Sequence, residues 1–318
     1  MFENYRYFLT LAEELNVTRA AKRLFVTHQC LSRYLGRLEK ECGTLLFQRK
    51  PVFALTPDGQ KMLETLRRVE LQEKNLHEYY SERQRSDAGS LRFGTTEGRF
   101  RIIVPDVISR FQDKFPHVQL HVGSANSQDL RQQLLDNHLD LILSGHAGVE
   151  PPSLENRVVL QEKIYLVISD GLLRREFGSE WKTRLKKMKS GADLRLFANF
   201  PFSVNMPSYN SSKMLQRHLS RLRLKLNVVH MSSHPDLHHI LTNRDYAASF
   251  CLTMYIPHIL SLNGSSSNKL HVLPIRGLTE NNPIAVTFVK GRVLPRCGLA
   301  LIDMLQQLCA EYSAYGAV

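Results

Sequence analysis

Residues 17–38 read VTRAAKRLFVTHQCLSRYLGRL, and the fold is decided there. Thr18 is placed to cap a short helix containing Ala20, Ala21 and Leu24. The two alanines carry little side chain, so a neighbouring helix can approach closely. Leu24 and Val26 anchor a tight turn, after which a longer helix runs from about Thr27 to Cys42. Leu31, Leu35 and Leu38 recur at helical spacing and mark its buried face. That leaves His28, Gln29, Ser32, Arg33, Gly36 and Arg37 on the opposite side. A helix that presents hydrogen-bonding and cationic side chains, with a second helix behind it, fits the major groove of DNA. Taken alone, such a face also suits an ordinary solvated helix.

Working outward, Tyr5, Phe8, Leu9, Ala12 and Leu15 give a preceding helix one apolar face. On the other side, Phe53–Thr56 reads as a wing strand, and Pro57-Asp58-Gly59 opens the next element. From Gln60 to Arg85 there is neither proline nor glycine. Met62, Leu66, Val69, Leu76 and Tyr80 alternate at spacings of four and three, with Glu73 the polar member of the series. The pattern predicts a short coiled-coil seam that pairs two chains; the alternative is a connector packed on its own domain.

Ser86-Asp87-Ala88-Gly89-Ser90 reads as a domain linker, because small polar residues cannot bury a core. Beyond it strands alternate with helices: strands at 91–94, 118–123, 139–143, 164–168, 226–231 and 247–252, helices at 102–114 and 128–137. This predicts α/β layers with mainly parallel sheets. About 230 residues of this kind split into paired subdomains with a cleft between them.

Size and composition agree. The 318 residues, 43% hydrophobic and 23% charged, suit a multidomain globular chain. No run reaches the ~18 apolar residues of a membrane span, and residues 1–6 do not begin a signal peptide. Five scattered cysteines, never spaced C-x-x-C, point to reduced thiols in a cytoplasm. The net charge of +12 is compatible with DNA but does not locate it, since residues 1–58 carry only +3, nine basic against six acidic.

Tyr7-Phe8, Ala12-Glu13, Thr18-Arg19-Ala20-Ala21, Leu24, Val26-Thr27, Leu31-Ser32-Arg33, Leu38-Glu39, Leu46-Phe47, Arg49, Leu55-Thr56 and Gly59 follow one another in the order and spacing of the LysR-type DNA-binding domain, which the chain resembles throughout its first quarter. Leu91-Arg92-Phe93-Gly94, Phe115-Pro116, Asn126-Ser127, Leu139-Asp140-Leu141 and Phe200-Pro201-Phe202 are similar, more loosely, to that family's periplasmic-binding-protein-like effector domain. The resemblance implies a winged helix-turn-helix over residues 1–59, a linker and dimerisation helix over 60–88, and an effector domain over 89–318. The last would comprise two α/β subdomains, about 89–164 with 268–318, and 165–267. It implies a transcriptional regulator acting on double-stranded DNA as a homodimer or homotetramer, with RNA polymerase as a further partner. DNA contacts fall on Thr18, Arg19, Thr27, His28, Gln29, Ser32, Arg33, Arg37, Arg49 and Lys50. Two departures stand out: His28 replaces a glutamine common in the family, and the wing between Arg49 and Leu55 is short and poor in basic residues.

A small effector, a carboxylate or a similarly polar metabolite, would sit between the subdomains. Thr95, Thr96, Asn126, Ser127, Phe202, Ser203 and Met231 all follow strands, where helix N-termini offer free N–H groups; each of these residues also makes an ordinary helix cap. His230, His234, His238 and His239 suggest a metal sensor, and the rival function is a metal- or metabolite-sequestering protein acting through protein contacts. Pro235 places His234 at a cap and off a helical face, which argues against a metal. No cofactor motif and no catalytic motif is present, so an enzyme is not expected.

Overall fold

The computed structural model describes residues 4–50, 52–83, 89–146, 151–263 and 268–316, the side chains of 77–83 excepted. Of the linker expected at 86–90, residues 86–88 lie outside them, while Gly89 and Ser90 already belong to a strand. The chain forms two compact units, Met1–Arg85 with Leu135–Asn137, and Ser86–Leu134 with His138–Val318.

The first unit contains α1 (Tyr5–Glu14), α2 (Val17–Arg23), α3 (His28–Cys42), a two-stranded wing of β1 (Phe47–Gln48) and β2 (Ala54–Leu55), and α4 (Pro57–Arg83). Phe8, Leu11, Ala20, Leu31, Leu35, Leu38, Phe47, Leu63 and Leu66 form its core. Asn16, and not Thr18, caps α2, its side chain accepting from the Arg19 N–H at 3.0 Å. Thr18 therefore stands inside the helix, exposed. Leu15 lies past the end of α1 at φ 44° and 44% exposed, so the apolar face expected to include it ends earlier. The turn into α3 closes with the Val26 N–H on the Ala21 carbonyl and the Phe25 N–H on that of Lys22. This is the double bond pattern that ends helices on a left-handed residue, and Phe25 takes φ 56° where glycine is usual. Thr27 caps α3, accepting from the Cys30 N–H at 3.1 Å.

Leu66 corrects the dimer seam. At 1% exposure it is packed with Leu63 inside the winged-helix core, so it has no surface to offer a second chain. Met62 packs half-buried against the same core, Val69 is half-buried and Leu76 is 52% exposed. The side chain of Tyr80 lies outside the described residues.

In the second unit, β3 (Gly89–Thr95) pairs in parallel with β4 (Val118–Ser124) and β5 (Leu141–Gly145), through α5 (Glu97–Lys114) and α6 (Ser127–Leu135). β6 (Leu154–Glu162) crosses to a second subdomain, where β7 (Ile164–Ser169) starts a three-stranded sheet. There follow α7 (Asp170–Phe177), α8 (Trp181–Met188), β8 (Pro201–Asn205), α9 (Asn210–Arg221), β9 (Asn227–Ser232), α10 (Pro235–Asn243), β10 (Ser249–Leu252), α11 (Ile256–Leu262) and β11 (Leu270–Pro274). The chain then returns as β12 (Asn282–Val289) and ends in α12 (Arg296–Tyr315) on the first core.

The first sheet runs β4-β3-β5-β12-β6, with β12 antiparallel to both neighbours. β10 and β11 flank β7 antiparallel, while β8 and β9 are parallel. The five-stranded sheet is therefore mixed, because β12 returns from the other subdomain and enters from the opposite end, and the β7 sheet is antiparallel, where mainly parallel sheets were expected. Since β11 belongs with β7, the return falls after Pro274 and the boundary expected at 268 moves. α5 begins at Glu97, five residues before the expected start at 102, which puts its first turn directly after β3.

Candidate nucleic-acid interface and ligand cleft

On α3, His28, Gln29, Arg33, Gly36 and Arg37 are exposed and Ser32 is half-buried, opposite Leu31, Leu35 and Leu38 at 3% exposure or less. Arg37 is 4.0 Å from Glu41 one turn on, and Ser32 Oγ is 3.5 Å from His28 Nδ1. Arg19 is turned back on α1, donating to the Glu14 carbonyl at 2.7 Å. The wing is organised by a buried carboxylate: Glu39 Oε1 accepts from the Leu46 and Phe47 N–H groups at 2.9 and 3.2 Å, and Oε2 lies 3.5 Å from Arg49 Nη2. Arg49 is thus aimed by α3 itself, with exposed Lys50 beside it. Glu39 was missed in the sequence because a carboxylate mid-helix reads as solvated.

Between the subdomains of the second unit lies a cleft of about 1610 Å³. Thr96, Asn126, Ser127 and Met231 line it. Thr95, Phe202 and Ser203 do not, since each is 0% exposed. Thr95 Oγ1 donates to the Leu143 carbonyl at 2.8 Å, Phe202 stacks on Phe250, and Ser203 Oγ is 3.0 and 2.6 Å from the Nδ1 atoms of His230 and His238. All three are instead spent on interior contacts. Asn126 spends its Oδ1 on the Gln128 and Asp129 N–H groups, capping α6. α5 and α9 also open onto the cleft, and neither has a side-chain cap.

At the cleft floor Arg99 Nη2 meets Glu162 Oε2 at 2.5 Å, and Asn282 Nδ2 donates to the same oxygen at 3.1 Å. Glu162 and Asn282 are register partners on the two crossover strands, so this buried network sits where the subdomains are joined. Arg131, Tyr209, Asn210, Lys213 and His239 also line the cleft and were not singled out in the sequence as cleft residues. The run Pro207-Ser208-Tyr209-Asn210-Ser211-Ser212 was the legible signal for the start of α9. Across the cleft, Arg101 pairs with Asp236 at 3.0 Å and Glu97 with His234 at 3.3 Å. No cluster of three His, Cys, Asp or Glu that could hold a metal occurs among the described residues. No helix among them is long and apolar enough to cross a membrane.

Residues 2–60 match the bacterial regulatory helix-turn-helix protein, lysR family, and residues 84–310 match the LysR substrate binding domain. The chain belongs to the LysR family. This LysR-family chain is 30% identical over 145 residues to HTH-type transcriptional regulator CysB of Haemophilus influenzae, a match spanning 45% of each chain. It is 25% identical over 225 residues to HTH-type transcriptional activator CmpR of Synechocystis sp., 63% of this chain and 72% of that one. Among solved structures, a full-length OxyR variant from Pseudomonas aeruginosa has a TM-score of 0.68 at 18% identity, covering 96% of this chain and 92% of that one. CbnR complexed with its target DNA has a TM-score of 0.55 at 18% identity, covering 97% and 99%. At such identity the likeness is one of fold. It is the LysR fold, an N-terminal winged helix-turn-helix followed by an α/β domain.

Proposed function

We propose that this chain is a DNA-binding transcriptional regulator, acting in the cytoplasm as a homo-oligomer, whose hold on DNA is set by a small anion in the cleft. The exposed polar face of α3 carries the reading. Its inner face is fully spent on the core, and its first turn is fixed by Thr27, leaving His28, Gln29, Arg33 and Arg37 free to enter a groove. Arg33, Arg37, Arg49 and Lys50 suit phosphates, whereas His28 and Gln29 suit base edges. The CbnR structure with its target DNA lends support by its likeness of fold.

The anion is supported by the uncapped N-termini of α5 and α9, which meet in one cleft beside Lys213. Helix N-termini favour negative charge, and an anion held by one helix of each subdomain favours one closure angle. Only such differential binding shifts a regulator between states. A carboxylate fits this chemistry. Pairing of chains would use exposed Leu76 and half-buried Val69 of α4, without Leu66.

Mobility shift of the full chain with its own upstream DNA, repeated over a panel of carboxylate metabolites, tests both halves. A retarded band that one metabolite shifts is the expected result. No retardation on any upstream fragment would return the helix-turn-helix to a protein-contact role.

A further inference from the structure

The inner end of the cleft has a different chemistry from its mouth. His239 on α10 lines the cleft at 1% exposure, and neither ring nitrogen has a hydrogen-bond partner among the described residues. The Phe250 backbone lies close by but outside hydrogen-bond geometry. Burial pushes the ring's pKa down to about 3, so at neutral pH the imidazole is uncharged, with one nitrogen a donor and the other an acceptor. Its ring lies 5.5 Å, centroid to centroid, from that of Tyr255, which burial keeps protonated. Arg99 also lines the cleft; its charge is met by Glu162, while its Nε has no partner. The inner end therefore carries no net charge, yet it holds unmatched donors and an acceptor. A second carboxylate placed there would shed its hydration with Glu162 nearby and no free counter-ion. An apolar group would leave the imidazole unsatisfied. A hydroxyl or a carboxamide matches the site in both senses.

Resting on the effector reading above, we propose that the ligand carries one anionic group for the mouth of the cleft and a neutral hydroxyl or carboxamide for His239 and Arg99 Nε, with His239 determining specificity. Calorimetry on the full chain with three probes of one length, succinamate, succinate and butyrate, tests it, with the five-carbon set glutaramate, glutarate and valerate run alongside. In at least one set the amide acid should bind about tenfold or more tightly than both the diacid and the simple acid. His239→Leu should lose that preference, and His239→Gln, which keeps a neutral donor and acceptor, should recover part of it. Diacids binding better than amide acids, or simple acids binding equally well, would overturn this proposal and leave an anion site standing. Absence of binding by all six probes would overturn the anion site along with it.

Discussion

Glu39 shows how one side chain links packing to the DNA-facing surface. Its carboxylate is buried and satisfies two wing N–H groups while holding Arg49. Glu39→Ala leaves the Leu46 and Phe47 N–H groups unpaired, each costing about 1–3 kcal/mol when buried. The variant should therefore lose roughly 2–6 kcal/mol in urea unfolding, on the same principle. Its affinity for DNA should also fall, since Arg49 is no longer aimed; unchanged stability would show that water replaces the carboxylate. None of this was legible along the chain, because Leu46 and Phe47 are seven and eight residues away and meet Glu39 only after the wing folds back. The Thr27 cap was legible, because its partner Cys30 is three residues on.

At the level of elements, α3 and α4 make separable predictions. Arg33→Ala should weaken binding across all sequences, whereas His28→Ala or Gln29→Ala should change which bases are preferred. Phosphate contacts carry affinity, and each good base contact carries about 1–3 kcal/mol of discrimination. Selection of bound sites from random DNA separates the two, and unchanged affinity in all three variants would remove α3 from the groove. On α4, Leu66→Glu should unfold the winged helix, since it buries a charge in the core. Leu76→Glu should leave the fold intact and shift sedimentation to a smaller species. A Leu76→Glu chain that keeps its assembly state places the pairing surface elsewhere. The periodicity of α4 was legible, but spacing alone cannot say whether a heptad position faces its own domain or another chain.

For the whole molecule, the histidines of α10 set a pH dependence. Burial lowers His238 to about 4, helped by His230, and lowers His239 to about 3, against an ordinary value of 6.5. Below pH 6.5 the unfolded chain takes up protons that the folded chain refuses until about pH 4 to 3. Stability is therefore full above about pH 6.5 and declines on acidification through that window, by up to roughly 3 kcal/mol for His238 and roughly 5 kcal/mol for His239. Urea unfolding at about pH 7.5, 6 and 5, values spanning the ordinary histidine range, should show this slope. His238→Gln with His239→Gln should flatten it. An identical slope in the double variant would assign the acid sensitivity to other groups. The clustered histidines were visible in the sequence as a metal-like group, but their burial, and hence their neutrality, was not.

By itself the sequence determined the winged helix-turn-helix, the long α4 and the division into an α/β domain of two parts. Those features depend on residues within a few turns of one another: helical spacing in α3, the Thr27 cap, the absence of breakers after Gly59. The close fit at Gly59, where a Cβ would stand 1.9 Å from the Leu46 carbonyl oxygen, already depends on tertiary contact. The same holds for which hydroxyls reach the cleft. Thr95 and Thr96 are adjacent in sequence, yet one is sealed against Leu143 and the other opens onto the ligand space, because the strand ends between them. Glu162 lies 63 residues from Arg99 and 120 from Asn282, and the three become one buried network only when the crossover strands pair. No local pattern encodes that meeting, because its stabilisation comes from burial that exists only in the folded chain.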